Sequence, residues 1–204
     1  MDEFAKLLDK QAKHPKRGSN AFLAGINAHN IGVLLVLMGQ RQADALKSFH
    51  QAVDWKKRSF GPQHTQVALS LEELGIQHFS RQEWPQALEV MNQCRKAFTQ
   101  PQHLIMVLNN LACVHLAMHN HVAAMVTLRN ARDLHHDTKS SSLDLLHAAM
   151  TIANLGYVLI QMKQYEEARA MFEEALLVSG ANDPTAWTRF VPVLTRFCRS
   201  SSPS

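Results

Sequence analysis

Apolar side chains recur at intervals of three and four residues along most of the chain, which predicts helices nearly throughout. The stretch FGPQHTQVALSLEELGIQHFSRQEWPQAL, residues 60–88, shows the pattern. A Gly-Pro turn leads into a predicted helix, a short polar break follows, and a second helix begins near Trp84. Gly75 stands in the middle of the first helix, where glycine costs about 1 kcal/mol relative to alanine. We therefore expect another helix to pack closely against Gly75.

The same arrangement of residues occurs four times, with a small residue in the first helix of each copy and further small and large residues at fixed offsets. The second copy reads Leu71, Leu74, Gly75, His78, Trp84, Ala87, Met91 and Cys94, and the fourth reads Ile152, Leu155, Gly156, Leu159, Tyr165, Ala168, Phe172 and Ala175. The third reads Leu108, Leu111, Ala112, His115, His121, Ala124, Leu128 and Ala131. The first, with one extra residue in its turn after Gly39, reads Ala28, Ile31, Gly32, Leu35, Ala45, Phe49 and Ala52. Shared offsets of this kind indicate a repeat protein.

The small residues of the repeats predict pairs of closely packed helices. A side chain no larger than a methyl group lets one helix approach another, and bulky neighbours then fill the groove between them. The first helices carry Gly32, Gly75, Ala112 and Gly156, and the second helices carry Ala45, Ala87, Ala124 and Ala168. We therefore predict four helix hairpins.

These residues resemble the tetratricopeptide repeat (TPR), and the resemblance covers about residues 20–182. The small position recurs at intervals of 43, 37 and 44 residues, longer than the simplest TPR, and linkers such as GPQHTQ resemble those of kinesin light chains. The resemblance implies an all-α fold, an α-solenoid of about four TPR hairpins. The heptad segment by which kinesin light chains bind the motor heavy chain has no counterpart here, so we expect the fold and not the transport role.

The domain organisation follows from the repeats. We expect a short helix and linker at 1–19, a TPR array at 20–182 and a capping helix with a disordered tail at 183–204. The repeats fall at about 20–60, 61–100, 101–140 and 141–182. In the last segment one stripe carries Trp187, Phe190, Val191, Leu194 and Phe197, and Pro192 should kink or end the helix. Capping would cover the apolar end of the array. The alternatives are that this segment reaches the binding surface or forms a homodimer with a second chain.

The resemblance also implies a binding groove, because the first helices of TPR arrays line a concave surface where partner peptides bind. By register, the candidate groove residues are Asn109, Asn110, Asn154, Leu116, Cys113, Tyr157, Ile76, Phe79, His29 and Glu72. This lining is largely apolar and suits an extended or helical segment that presents apolar side chains. The alternative for any one apolar residue is a place in the core.

Asparagine recurs two residues before the small position, at Asn30, Asn110 and Asn154, and Asn109 adjoins Asn110. A carboxamide offers both a donor and an acceptor, so it can pair with a peptide backbone of any sequence. The resemblance implies that role for Asn109, Asn110 and Asn154. The alternative is a hydrogen bond to a neighbouring helix or to water.

The expected function is therefore a protein–protein interaction module, an adaptor or scaffold. The alternative is a structural, self-associating TPR protein whose groove is self-occupied. The clamp of Lys, Asn and Arg with which TPR co-chaperones hold a C-terminal carboxylate is absent. Its first-repeat sites read His29 and Val33, or Glu72 and Ile76 if the site starts one repeat later. Its third-repeat sites read Met106 and Asn110, or Met150 and Asn154. A chaperone-tail receptor is therefore not expected.

Composition and motifs change this picture little. The formal charge of +4 and two short basic runs give no stripe for nucleic acid. No catalytic motif, cofactor loop, signal peptide or membrane span is evident, so we expect no enzyme, no cofactor and no membrane contact. Three widely spaced cysteines favour a reducing, cytoplasmic location. His115 and His119 have the spacing of zinc ligands, but without the glutamate of metalloproteases, so a His-metal enzyme is only a third hypothesis and we predict no metal site.

Overall fold

The structure is a computed structural model that describes residues 19–39, 42–136 and 142–179. Within these ranges it contains eight helices and no strand, as the prediction of an all-α fold requires. The predicted N-terminal helix, the C-terminal capping helix and the tail lie outside the described residues. The helices are α1 (Ser19–Leu37), α2 (Gln42–Phe60), α3 (Thr65–Ser80), α4 (Trp84–Ala97), α5 (Pro101–Ala117), α6 (His121–His136), α7 (Ser142–Gln161) and α8 (Tyr165–Ser179).

The chain divides into two compact units. The first contains the residues up to His78 together with Glu89–Phe98, and thus α1, α2 and most of α3 and α4. The second contains Phe79–Leu88 together with the residues from Thr99 onwards, and thus α5 to α8.

In the first unit, the glycines of the first helices face large side chains of the second helices. A Cβ atom added to Gly32 would lie 2.7 Å from Cε1 of Phe49, a side chain that is 0% exposed. A Cβ atom added to Gly75 would lie 2.7 Å from Cε of Met91. Both distances are shorter than carbon atoms can approach without displacement. The loss of helix propensity at Gly75 is therefore the consequence of close packing, as the sequence predicts.

In the second unit, too, a small residue of a first helix packs against a large side chain of the second helix, but the sizes of the residues differ. A Cβ atom added to Gly156 would lie 3.1 Å from Cε1 of Phe172, a tight contact that needs less adjustment than in the first unit. At the equivalent position α5 carries Ala112, and the residue facing it in the repeat is Leu128, smaller than phenylalanine; both are 0% exposed members of one core cluster. In this repeat the small position gains a methyl group, and the residue at the large position is smaller than Phe49 and Phe172 of the first and fourth repeats.

The turn inside each hairpin has one fixed backbone conformation. A residue with positive φ stands seven positions after the small residue in each repeat: Gly39 at 68°, Gln82 at 61°, His119 at 58° and Lys163 at 62°. After α5 the His119 N–H donates to the Leu116 carbonyl at 2.9 Å, and the Asn120 N–H donates to the His115 carbonyl at 2.8 Å. This is the Schellman arrangement, in which a left-handed residue ends the helix and satisfies its last carbonyls. The bonds from Lys163 and Gln164 after α7 have the same pattern.

Opposite substitutions at two of these turns should have opposite effects on stability. Gly39→Ala should lower the free energy of unfolding by about 1 kcal/mol, because an L side chain is strained at positive φ although no atom lies within 4 Å to clash with it. Lys163→Gly should raise it by about 0.5 kcal/mol, since relief of strain exceeds the added entropy of the unfolded chain. Urea unfolding followed by helical circular dichroism measures both. Changes of the same sign in the two variants would contradict the conformational explanation.

Candidate functional site

Three of the candidate groove residues lie in the core of the second unit. Phe79, Cys113 and Leu116 are 4%, 6% and 7% exposed, and they belong to one cluster of buried apolar residues. Tyr157 is half-buried and packs against this cluster. The apolar stripe of the first helices therefore supplies much of the core. A role of these four residues in peptide binding stays a prediction.

A network of side-chain hydrogen bonds joins the two first helices of the second unit, α5 and α7. The Asn154 Nδ2 group donates to Asn109 Oδ1 at 2.7 Å. The Asn109 Nδ2 group donates to Thr151 Oγ1 and to the Ile105 carbonyl, both at 2.9 Å. Thr151 is 0% and Asn154 3% exposed, whereas Asn109 is half-buried. The predicted asparagines Asn109 and Asn154 therefore bond to each other across neighbouring helices. A hydrogen bond to a neighbouring helix is the alternative role that the sequence analysis gives for these residues.

An equivalent bond joins α1 and α3 in the first unit. The His29 Nδ1 atom lies 3.1 Å from Ser70 Oγ, and Ser70 is 0% exposed. His29 and Asn109 both stand three residues before the small position of their repeats, while Ser70 and Thr151 stand five residues before theirs. Within each unit, the two first helices are thus joined by a side-chain bond between the same two repeat positions. Sequence reasoning missed the two hydroxyl residues, although a polar residue recurring in an apolar stripe was a visible signal.

The charges of this repeat position differ between the copies. Burial, with a smaller contribution from the positive charge of Lys56, lowers the pKa of His29 to about 4, so its imidazole is neutral at pH 7. Glu72 occupies the same repeat position in α3 and is half-buried. Burial, with a smaller contribution from Glu73, raises the pKa of Glu72 to about 7. At this position His29 is therefore neutral at pH 7, Glu72 is partly protonated and Asn109 carries no charge, and all three can hydrogen-bond within a largely apolar surface.

Part of the apolar surface of α5 and α7 remains exposed. Met106 on α5 is 42% exposed, and Leu146 and Ile160 on α7 are 44% and 39% exposed. Asn110 on α5 is half-buried, as is Ile76 on α3 of the first unit. The residues of the second unit therefore combine a fixed amide network with large apolar side chains open to solvent, a combination that can bind a polypeptide.

The histidines and cysteines of the described residues form no evident catalytic or metal centre. No three His, Cys, Asp or Glu side chains within 19–39, 42–136 and 142–179 come together as a metal-binding group. The Nδ1 atoms of His115 and His121 are buried without a hydrogen-bond partner. Burial raises the pKa of the Cys94 thiol, which donates to the Ala68 carbonyl at 3.3 Å. A thiol with a raised pKa is a poor nucleophile. Among the helices described above, none combines the length and apolarity that crossing a bilayer requires.

Comparisons with known proteins identify a matching family model and solved structures with a similar fold. A family model, the tetratricopeptide repeat, matches residues 148–180. The structure of BtubC (BKLC) from P. vanneervenii superposes with a TM-score of 0.77 at 16% identity, over 88% of this chain and 73% of that one. TPR-like repeats of a kinesin light chain-like protein from Podosopora anserina superpose with a TM-score of 0.71 at 16% identity, over 91% and 84%. No curated protein matches the sequence. The predicted resemblance is confirmed, and at 16% identity the neighbours establish the fold alone.

Proposed function

We infer that this chain, which carries a tetratricopeptide repeat at 148–180 and has the fold of TPR-like repeat proteins, is an interaction module that binds a segment of a partner protein on its first helices. TPR folds are typical of scaffolds without catalytic activity, and no reaction is proposed. The cytoplasmic location expected from the cysteines belongs to the same proposal. The transport role of kinesin light chains is not part of this proposal.

The observation that carries this proposal is the amide network of α5 and α7 beside exposed apolar side chains. Three hydrogen bonds fix the carboxamide of Asn109 before any ligand arrives, so little side-chain entropy is lost on binding. Met106, at 42% exposure, offers an apolar contact on the same helix as Asn109.

The chemistry of the surface defines the ligand. Exposed methionine and aliphatic side chains favour a segment with apolar residues, in an extended or helical conformation. Carboxamides favour contact with its backbone or with its polar side chains. Since neither Asn109 nor Met106 carries a charge, an acidic or basic motif would gain no ion pair from them.

A matched pair of charge substitutions tests the proposal. Peptides selected from a random library displayed on phage would be measured for affinity by fluorescence anisotropy. Met106→Glu should raise the Kd at least tenfold, about 1.4 kcal/mol, because binding would desolvate a carboxylate against apolar groups. Val126→Glu, at a 48% exposed position on the second helix α6, should leave the Kd within about twofold.

The result is interpretable only if both variants keep the helical circular dichroism of the wild type. Equal affinities for the two variants, or a loss confined to Val126→Glu, would place the peptide elsewhere and contradict the proposal. Asn109→Ala provides a second measurement, since it removes the fixed carboxamide without adding charge. It should raise the Kd by about fivefold, the equivalent of one hydrogen bond.

A further inference from the structure

The last hairpin that the structure describes, α7 with α8, carries an open apolar groove of about 610 Å³. Its apolar lining consists of Ile160, Tyr165, Ala168, Phe172 and Leu176. Ile160 is 39% and Tyr165 63% exposed, although both side chains are large. This surface, named here the terminal groove, does not include the amide network of the proposed function.

The preceding hairpin shows what covers such a surface. Three of the repeat positions that line the terminal groove are 7%, 0% and 0% exposed in the preceding hairpin, where they carry Leu116, Ala124 and Leu128. They share a core cluster with three aliphatic residues of the next first helix, α7, namely Leu155, Val158 and Leu159. A first helix therefore covers this surface with the residues one position before, and two and three positions after, its small residue.

The first helix of the first hairpin, α1, carries the same aliphatic pattern on an open face. The three residues at those positions around Gly32 are Ile31, Leu34 and Leu35. Leu34 is 48% exposed, whereas its repeat position is 5%, 1% and 0% exposed in α3, α5 and α7, where it is occupied by Gln77, Val114 and Val158. Leu23 lies about three helical turns before Leu34, and thus on the same side, and is 53% exposed. The side of α1 that contains Leu23 and Leu34, named here the open face, is thus the side that is buried in the later first helices.

The charges of the two surfaces are compatible with direct contact. The segment Ser19–Leu37 contains no Asp, Glu, Lys or Arg, and burial lowers the pKa of His29 to about 4, so α1 carries no side-chain charge at pH 7. The charged residues in the terminal groove, Arg169 and Glu173, already pair with each other at 2.9 Å. Contact between the two surfaces would therefore bury no unpaired charge.

The ion pair that links the third and fourth hairpins is replaced in a consistent way. Arg132 of α6 bonds Glu174 of α8 at 2.7 and 2.9 Å. The position of Arg132 is occupied in the fourth hairpin by Leu176. The position of Glu174 is occupied in the first hairpin by Gln51, once the extra residue after Gly39 is counted. Neither replacement is charged, so the first hairpin brings no unpaired acidic group to a groove that lacks the arginine.

We propose that copies of this chain associate head to tail, with the open face of α1 in one copy packed against the terminal groove of the next. Ile31, Leu34 and Leu35 then cover the groove as the equivalent residues of α7 cover the third hairpin. The chain's own residues one repeat beyond that α7 set are not aliphatic; they are Arg199, Ser202 and Pro203. The contact joins two different surfaces, so each dimer keeps one free open face and one free groove, and further copies add until a ring closes or a filament forms.

Sedimentation velocity of the full chain over about a hundredfold range of concentration tests this association, because mass action populates dimers and larger species as the concentration rises. Leu34→Glu in α1 and Ile160→Glu in the groove should each raise the dimer Kd at least tenfold, since binding would desolvate a carboxylate against apolar groups. Val126→Glu, at a 48% exposed position of α6, should leave the Kd within about twofold. All variants are compared at the helical circular dichroism of the wild type, and Leu23→Glu is a second α1 variant if Leu34→Glu loses helicity.

Mixing the two deficient variants distinguishes a head-to-tail contact from a symmetric one. The Leu34→Glu chain keeps an intact terminal groove, and the Ile160→Glu chain keeps an intact open face of α1. Their equimolar mixture should therefore form a dimer of one copy of each, with a Kd within about threefold of the wild type, and should not grow beyond the dimer.

Three outcomes would overturn the proposal. A wild-type chain that stays monomeric over the whole range would mean that the two surfaces do not associate between copies. Association that persists unchanged in Leu34→Glu or in Ile160→Glu would mean that other surfaces carry it. A mixture of the two variants that stays monomeric would mean that the wild-type contact is symmetric.

Discussion

Phe49→Ala is expected to lower the free energy of unfolding by about 3–5 kcal/mol, the largest stability change that we predict. The Phe49 ring is 0% exposed and lies against Gly32, which has no side chain with which to fill the space left by the ring. Urea unfolding followed by circular dichroism measures the loss. A change below about 1 kcal/mol would contradict the tight packing around this ring.

The third repeat supplies a control for this site. Gly32→Ala alone should destabilise the protein by about 1–3 kcal/mol, because its Cβ would lie 2.7 Å from a ring that is enclosed on all sides. Gly32→Ala combined with Phe49→Leu reproduces the alanine and leucine of positions 112 and 128. We expect the double variant to be more stable than Gly32→Ala alone. If the two substitutions simply add their losses, the size pairing seen across the repeats does not govern packing.

Glu72→Gln is expected to raise the free energy of unfolding by about 2 kcal/mol at pH 8 and to have little effect at pH 4. Burial raises the pKa of Glu72 to about 7 in the folded protein, above its value in the unfolded chain. The stability contributed by the protonated group is present below the unfolded pKa and is lost as the pH rises through about 7. Glutamine cannot ionise, so it avoids this loss. The figure is reduced from the full pKa shift because the side chain is only half-buried.

The measurement is urea unfolding of both proteins at several pH values. His29, whose lowered pKa makes the folded protein lose stability as the pH falls from about 6.5 toward 4, contributes equally to both proteins, so their difference isolates Glu72. Glu89→Gln, at an exposed position of α4, should change the stability by less than about 0.5 kcal/mol at each pH. A Glu72→Gln effect that does not vary with pH would contradict the role of ionisation.

The packing of the hairpins could be predicted from the sequence because each partner lies at a fixed offset within one repeat. Gly32 and Phe49, or Gly156 and Phe172, are brought together by a single turn, so a repeated pattern of small and large residues is enough to identify them. The costly glycine in a helix is itself the signal of close approach. The TPR resemblance, with its helical architecture, follows from these local relations.

The candidate site could be predicted only in part, because it depends on how successive hairpins meet. Leu116 and Ile160 occupy the same repeat position, yet Leu116 is 7% and Ile160 39% exposed, since among the described residues only the first is covered by a following hairpin. In the same way, register identified Asn109 and Asn154 but not their mutual bond, which joins side chains 45 residues apart. Such contacts depend on the angle and separation of neighbouring helices, which hydrophobic periodicity does not specify.

The turn that ends each first helix and the connection between hairpins are two places where the chain can change in length. Inside a hairpin, the first repeat holds one extra residue after Gly39 and still places Gly32 against Phe49, so this turn accepts a single added residue beyond its left-handed position. Between hairpins, the connections from Phe60 to Thr65 and from Ala97 to Pro101 already differ in length. Each hairpin is therefore a unit of inheritance: copies can be gained, lost or exchanged by recombination in the connections, while the internal geometry passes unchanged from one copy to the next.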